Sequence, residues 1–121
     1  MDTIVVMNQD QMGHGDRALG QKVLGTFLRK SIALPEFRAL LFYNSGVRLV
    51  AADSPVLTEL RLLEERGVDL VPCGTCLSHY GVTPAVGKPY YLVDNQGDGQ
   101  FVEANITHPV VKPPMWIIHS W

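Results

Sequence analysis

Val68-Asp-Leu-Val71-Pro-Cys73-Gly-Thr-Cys76 is the stretch that sets the fold class of this chain. A short run of aliphatic residues ends at Pro72, and a helical pattern begins directly after it. The two cysteines of the chain lie at this junction. Alternation of strands and helices is typical of α/β folds, so the stretch predicts that both thiols lie at the carboxyl end of a strand.

The same alternation extends from residue 3 to about residue 81. Ile4 to Met7 and Ala39 to Tyr43 are continuous apolar runs, which are typical of strands covered on both faces. Asp16 is expected to cap a first helix, and Ser54-Pro55 is expected to begin a second one that stops at Gly67. The pattern therefore predicts an α/β fold with a mainly parallel sheet.

The pattern changes beyond Gly81. Tyr90 to Val93 and Phe101 to Ile106 have the composition of two strands, and the turn-rich linker between them favours a β-hairpin. Three prolines exclude a long helix between residues 107 and 115, which predicts an irregular tail. Met115 to Ile118 is too apolar for an exposed end. We expect this segment to dock, and another subunit is one surface that could receive it.

Size and composition limit the possible functions. The chain has 121 residues, which predicts one domain over residues 1–121, with a core at about 3–81 and an extension at 82–121. A net charge of −2 argues against nucleic-acid binding. No apolar run reaches the roughly 20 residues of a membrane span, and no signal peptide begins the chain. We expect a cytoplasmic protein without a membrane partner.

Three loops are expected to meet at the carboxyl edge of the sheet, where α/β proteins bind ligands. Their glycines would let backbone N–H groups approach a small anion around the sulfur atoms. Each loop could equally be a structural turn, and none carries a dinucleotide fingerprint, so no cofactor is predicted. The predicted substrate pocket consists of Asn8, Gly13, His14, Gly15, Asn44, Ser45, Gly46, Gly74 and Thr75.

The predicted catalytic residues are Cys73, Cys76 and His79. A cysteine at a helix N-terminus gains thiolate character from unpaired backbone N–H groups and the helix dipole. His79 could share a helix face with Cys76 and lower its pKa or shuttle a proton, or it could be a plain surface residue. These residues supply only three zinc ligands where a structural site needs four, so no metal is predicted.

Three motifs occur in order: Met12-Gly-His-Gly-Asp16, Phe42-Tyr-Asn-Ser-Gly-Val47 and Cys73-Gly-Thr-Cys-Leu77. Together they resemble the DsrE-like domain of the YedF type, and the resemblance covers residues 3 to about 81. It implies a three-layer α/β/α fold of flavodoxin-like topology, homo-oligomeric assembly, and a strand-end cysteine that carries sulfur as a persulfide. Cys73 matches that cysteine, and Cys76 matches the additional thiol of YedF-type domains. Such domains are also associated with selenium metabolism.

The chain departs from the YedF pattern in two respects. The amino-terminal TusA-like domain is absent, which weakens the link to selenium and makes a separate TusA-like protein a potential partner. The segment after Gly81 is also longer than the single short strand with which the family pattern would finish.

The resulting hypothesis is a sulfur-relay or sulfurtransferase-like protein that takes sulfur from a donor protein and passes it to an acceptor protein. In this scheme the Cys73 thiolate attacks a donor persulfide, and Cys76 assists the release of the sulfur. Two alternatives remain open. One is a thiol–disulfide redox protein, because strand, Cys-x-x-Cys and helix also follow one another in thioredoxins. The other is a non-catalytic oligomeric scaffold.

Overall fold

The computed structural model describes residues 2–89 and 115–119. Within these residues, four strands and three α-helices alternate in the α/β manner. Their bounds are β1 Asp2–Met7, α1 Arg17–Lys30, β2 Phe37–Phe42, α2 Leu57–Glu65, β3 Asp69–Pro72, α3 Gly74–Tyr80 and β4 Met115–His119. Two 3-10 helices, Ser31–Ala33 and Asn44–Val50, follow α1 and β2.

The described strands form one parallel sheet in the order β3-β2-β1-β4. A flavodoxin-like sheet places β1 between β2 and β3, whereas here β2 and β3 lie on the same side of β1. The expectation of flavodoxin-like topology is therefore wrong for these strands. The next described strand, β4, pairs with β1 on the side away from β2.

The apolar segment near the end of the chain is β4, not an irregular tail. Asp2 pairs with Met115 and Val6 pairs with His119, so β4 lies parallel to β1. The docking surface for residues 115–119 is thus the sheet of the same chain. The hairpin predicted from Tyr90 to Ile106 lies outside the described residues.

The core lies between the sheet and the helices. Consecutive residues of β1 and β2, from Ile4 to Met7 and from Ala39 to Phe42, are buried, as expected for strands covered on both faces. Two leucines of each long helix are buried in the same hydrophobic cluster as these strand residues, namely Leu24 and Leu28 of α1 and Leu60 and Leu63 of α2. An α/β fold with a parallel sheet is confirmed, and it is compatible with a three-layer arrangement.

The helix boundaries follow the predicted signals in part. Asp16 caps α1, because its carboxylate accepts a hydrogen bond from the Leu19 N–H at 2.8 Å. Gly67 follows α2 with a φ of +93°, the left-handed conformation that suits a helix stop. The predicted start of α2 is wrong: Ser54 accepts from the Val56 N–H within a turn, and the helix begins at Leu57.

Within the described residues, no helix is both long enough and apolar enough to cross a membrane.

Candidate functional site

The loop after β2 lies directly against the end of β1. The Tyr43 N–H donates to the Met7 carbonyl oxygen at 2.9 Å, and the Gly46 N–H donates to the Tyr43 carbonyl at 2.8 Å. Gly46 is buried and so close to β1 that a β-carbon there would lie 2.2 Å from the Met7 oxygen. Only glycine fits this approach, and the loop is thereby fixed at the carboxyl edge of the sheet.

Cys73 lies between β3 and α3. Its N–H donates to the Phe42 carbonyl oxygen at 2.9 Å, and its own carbonyl accepts from the Leu77 N–H at 3.0 Å. The residue is only 1% exposed and belongs to the hydrophobic core. The position at a strand end is as predicted, but Cys73 is not on an accessible rim, because the core encloses it. Gly74, the first residue of α3, is buried, whereas Thr75 is exposed.

Cys76 is the accessible cysteine of the pair. It is half-buried on α3, and its Sγ accepts a hydrogen bond from the Asn44 N–H at 3.2 Å. Asn44 has a φ of +49°, a left-handed conformation that asparagine tolerates better than most residues. Tyr80, one turn after Cys76, donates its hydroxyl proton to Oδ1 of Asn44. Two contacts from α3 therefore hold Asn44 in place, and the predicted meeting of these two loops is confirmed.

The electrostatic surroundings make the Cys76 thiol less acidic. Burial raises the pKa of Cys76, the Asn44 N–H opposes that effect, and interaction with Cys73 raises the pKa further. The side chain of His79 is exposed, and its ring packs edge-on against Tyr80 with centroids 4.9 Å apart. The sequence predicted a lowered pKa for Cys76, and the shift has the opposite direction. Desolvation of the thiol outweighs the single hydrogen bond from the Asn44 N–H.

The tip of the first loop is held separately from the cysteines. Nε2 of Gln11 donates to the carbonyl oxygens of Gly13 and Gly15 at 3.0 and 3.2 Å. His14 and Asn8 are exposed, and Ser45 is half-buried. The described hydrogen bonds of Gly13 and Gly15 therefore fold the tip back on Gln11, whereas Asn44 and Gly46 lie at the cysteine site.

A charged cluster missed by sequence reasoning borders this site. Arg17 binds both carboxylate oxygens of Asp10 at 2.9 and 2.6 Å, and the Asp10 side chain is only 8% exposed. Arg48 lies 3.9 Å from the same carboxylate and 4.7 Å above the centroid of the Tyr80 ring. The sequence does contain a signal for this cluster, because Asp10 follows β1 and Arg48 follows β2. Polar residues that follow neighbouring parallel strands lie at the same edge of the sheet.

A cavity of about 590 Å³ opens beside this cluster. The loop after β1, α1, the segment after β2 and the segment after α3 all contribute to its wall. The described lining residues are Asp10, Arg17, Gln21, Arg48, Leu49, Ala51, Asp53, Ser54, Pro55, Gly81, Val82 and Thr83. Among the described residues, no group of three or more potential ligands could hold a metal ion.

Comparison with known proteins adds fold information. A family model described as "Protein of unknown function (DUF2782)" matches residues 76–121, less than half of the chain. No curated protein matches.

The solved structures that are similar to this one include two proteins. The ychN protein from E. coli is 14% identical, with a TM-score of 0.59 and 98% of each chain covered. The protein of unknown function MTH1491 from Methanobacterium thermoautotrophicum is 23% identical, with a TM-score of 0.51, over 68% of this chain and 70% of the other. At these identities the likeness concerns the fold alone.

Proposed function

We propose that the protein is a DsrE-like sulfur-relay protein that carries sulfur as a persulfide on the Cys73–Cys76 pair. The observation that supports this most is the hydrogen bond from the Asn44 N–H to Sγ of Cys76, on a half-exposed thiol at the ligand-binding edge of a parallel sheet. A fixed N–H donor beside a sulfur atom is suited to stabilise the negative charge of a persulfide anion.

The two cysteines differ in solvent exposure, and this difference suggests a different role for each. The resemblance made Cys73 the carrier, but Cys73 is 1% exposed and Cys76 is the thiol that a sulfur donor can contact in this conformation. We therefore propose that Cys76 is the thiol that first reacts with the donor persulfide. Cys73 remains the second thiol of the pair, close enough to influence the pKa of Cys76.

The loading step balances without an external oxidant. The Cys76 thiol loses its proton to solvent, and the thiolate attacks the terminal sulfur of a donor persulfide, R–S–SH. A bond forms between Sγ and that sulfur, the donor S–S bond breaks, and the donor leaves as a thiolate that takes up a proton. The products are a Cys76 persulfide and R–SH. An acceptor thiolate then attacks the terminal sulfur in the same way and regenerates Cys76.

Mass spectrometry of the protein after incubation with a persulfide donor tests this function. We expect one added sulfur atom in the wild-type protein and in Cys73→Ser, and no added sulfur in Cys76→Ser. An adduct that persists in Cys76→Ser and disappears in Cys73→Ser would return the carrier role to Cys73. No adduct in a wild-type protein whose Cys76 reacts with an alkylating agent would refute sulfur relay.

Thiol–disulfide exchange is the second proposal, because the two thiols lie at the start of α3 and interact with each other. It predicts a Cys73–Cys76 disulfide with a defined reduction potential and the loss of disulfide reductase activity in either serine variant. Cytoplasmic location remains a prediction from the sequence itself. Homo-oligomeric assembly, a TusA-like partner and a link to selenium metabolism remain predictions of the resemblance.

A further inference from the structure

We propose that the 590 Å³ cavity binds low-molecular-weight thiols of the amino-acid or peptide type, whose carboxylate is held by Arg48 and whose persulfides deliver sulfur to Cys76. This inference rests on the proposed function, since it names a donor class for the same site. The volume is in the range of small-molecule sites, roughly 300–1,000 Å³.

Arg48 has the capacity to bind a carboxylate. Arg17 already occupies both oxygens of Asp10, so Arg48, at 3.9 Å from Oδ2, lies beyond hydrogen-bond distance. Within the described residues, the recorded contacts of Arg48 are this ion pair and the Tyr80 ring. Its side chain is 52% exposed. A planar guanidinium whose N–H groups are available binds a carboxylate through two parallel hydrogen bonds.

The cavity also carries an acidic residue that suits a zwitterion. Asp53 is exposed and lines the same cavity as Arg48. The lining therefore offers a cation for a carboxylate and an anion for an ammonium group. The carboxylate of Asp10 already forms an ion pair with Arg17. Among the described lining residues, Asp53 is therefore the carboxylate available to a ligand. Amino acids and peptides carry both charges, whereas an uncharged or purely cationic thiol would bring no carboxylate to Arg48.

A continuous set of contacts joins the cavity to Cys76. The Arg48 guanidinium lies over the Tyr80 ring, the Tyr80 hydroxyl binds Asn44, and the Asn44 N–H binds Sγ of Cys76. Tyr80 and Asn44 are thus the residues that stand between Arg48 and Cys76, and a ligand held by Arg48 would have to extend past them to bring its sulfur to Cys76. Small thiols of the amino-acid or peptide type are flexible enough to extend in this way while their carboxylate stays on Arg48.

Kinetics of sulfur loading with two donors test the inference. Glutathione persulfide carries carboxylates and an ammonium group, whereas inorganic polysulfide carries neither. We expect Arg48→Gln to raise KM for glutathione persulfide about tenfold, the loss expected when a charged hydrogen-bonding partner is removed, with a smaller change for polysulfide and little change in kcat. Arg48→Lys should give a KM for glutathione persulfide between the values of the wild-type protein and Arg48→Gln. Lysine keeps the positive charge but lacks the planar guanidinium.

Arg38→Gln is the matched control. Arg38 is similarly exposed and is paired with Asp2 at the opposite edge of the sheet, so both donors should react as with the wild-type protein. Equal KM values for glutathione persulfide in Arg48→Gln and Arg38→Gln would overturn the inference.

A binding measurement separates this inference from the proposed function. Calorimetric titration of glutathione into Cys76→Ser should show binding that Arg48→Gln weakens in the same background. If neither donor loads sulfur but this binding is present, sulfur relay fails and the ligand site stands. If glutathione does not bind at all, the site is refuted whatever the loading experiment shows.

Discussion

Gly46→Ala is expected to lower the free energy of unfolding by about 3 kcal/mol, the upper part of the usual range for an overpacked position. The added β-carbon would lie 2.2 Å from the carbonyl oxygen of Met7 and 3.0 Å from its carbonyl carbon. Both atoms belong to the backbone of β1, so no side-chain rotation relieves the overlap. Either the loop or the strand end has to move.

Urea denaturation followed by circular dichroism measures this effect. Gly15→Ala is the matched control, because a β-carbon there meets no atom within 4 Å and Gly15 has no positive φ that alanine would resist. Alanine at Gly15 should leave the stability unchanged or raise it slightly by restricting the unfolded chain. A Gly46→Ala protein as stable as Gly15→Ala would mean that the loop after β2 does not approach β1 as described.

The second large expected effect concerns alkylation of the two thiols. In the native protein iodoacetamide should modify Cys76 at least about 100-fold faster than Cys73, because reaction at a core residue requires local opening. Peptide mapping by mass spectrometry gives both rates. In denaturing urea the two cysteines should react at similar rates, which serves as the internal control. Fast modification of native Cys73 would contradict its burial.

The pH dependence of Cys76 alkylation follows from its raised pKa. The thiolate is the reacting species, and burial together with Cys73 raises the pKa of Cys76 above its ordinary value. Cys76 should therefore react more slowly than a small-molecule thiol at pH 8, and its rate should still be rising above pH 8.5 or so, the ordinary cysteine range. A rate that levels off near neutral pH would indicate a lowered pKa instead.

The raised pKa of Cys76 also predicts how the stability of the folded protein changes with pH. A pKa raised in the folded state means that folding favours the protonated thiol. The stabilising contribution is complete below the pKa of the unfolded chain and is lost as the pH rises through the folded pKa. Stability should thus decline at alkaline pH in the wild-type protein, and Cys76→Ser should remove that part of the decline.

The helix ends that were predicted correctly are determined by single residues at those ends. Asp16 caps α1 through its own side chain, and Gly67 ends α2 through its own backbone conformation. Neither depends on distant parts of the chain. The contact of Asn44 with Cys76 was also predictable as a meeting of loops, since parallel strands bring their carboxyl ends to a single edge.

Features set by long-range packing were not predictable. The burial of Cys73 depends on what packs over the end of β3, and the sequence around it shows only a cysteine before a helix. The cluster of Arg48, Asp10 and Arg17 requires the register of β1 against β2. The order of the sheet likewise depends on which side of β1 pairs with β4, and no local pattern encodes that choice.

The pairing of β4 with β1 links the timing of folding to the timing of synthesis. β1 begins at Asp2, and its partner begins at Met115, so almost the whole described chain separates two neighbouring strands. A ribosome would release the three other described strands and all three helices before residues 115–119 emerge. During that interval one edge of β1 has no partner from β4, which makes the nascent chain open to pairing with another molecule.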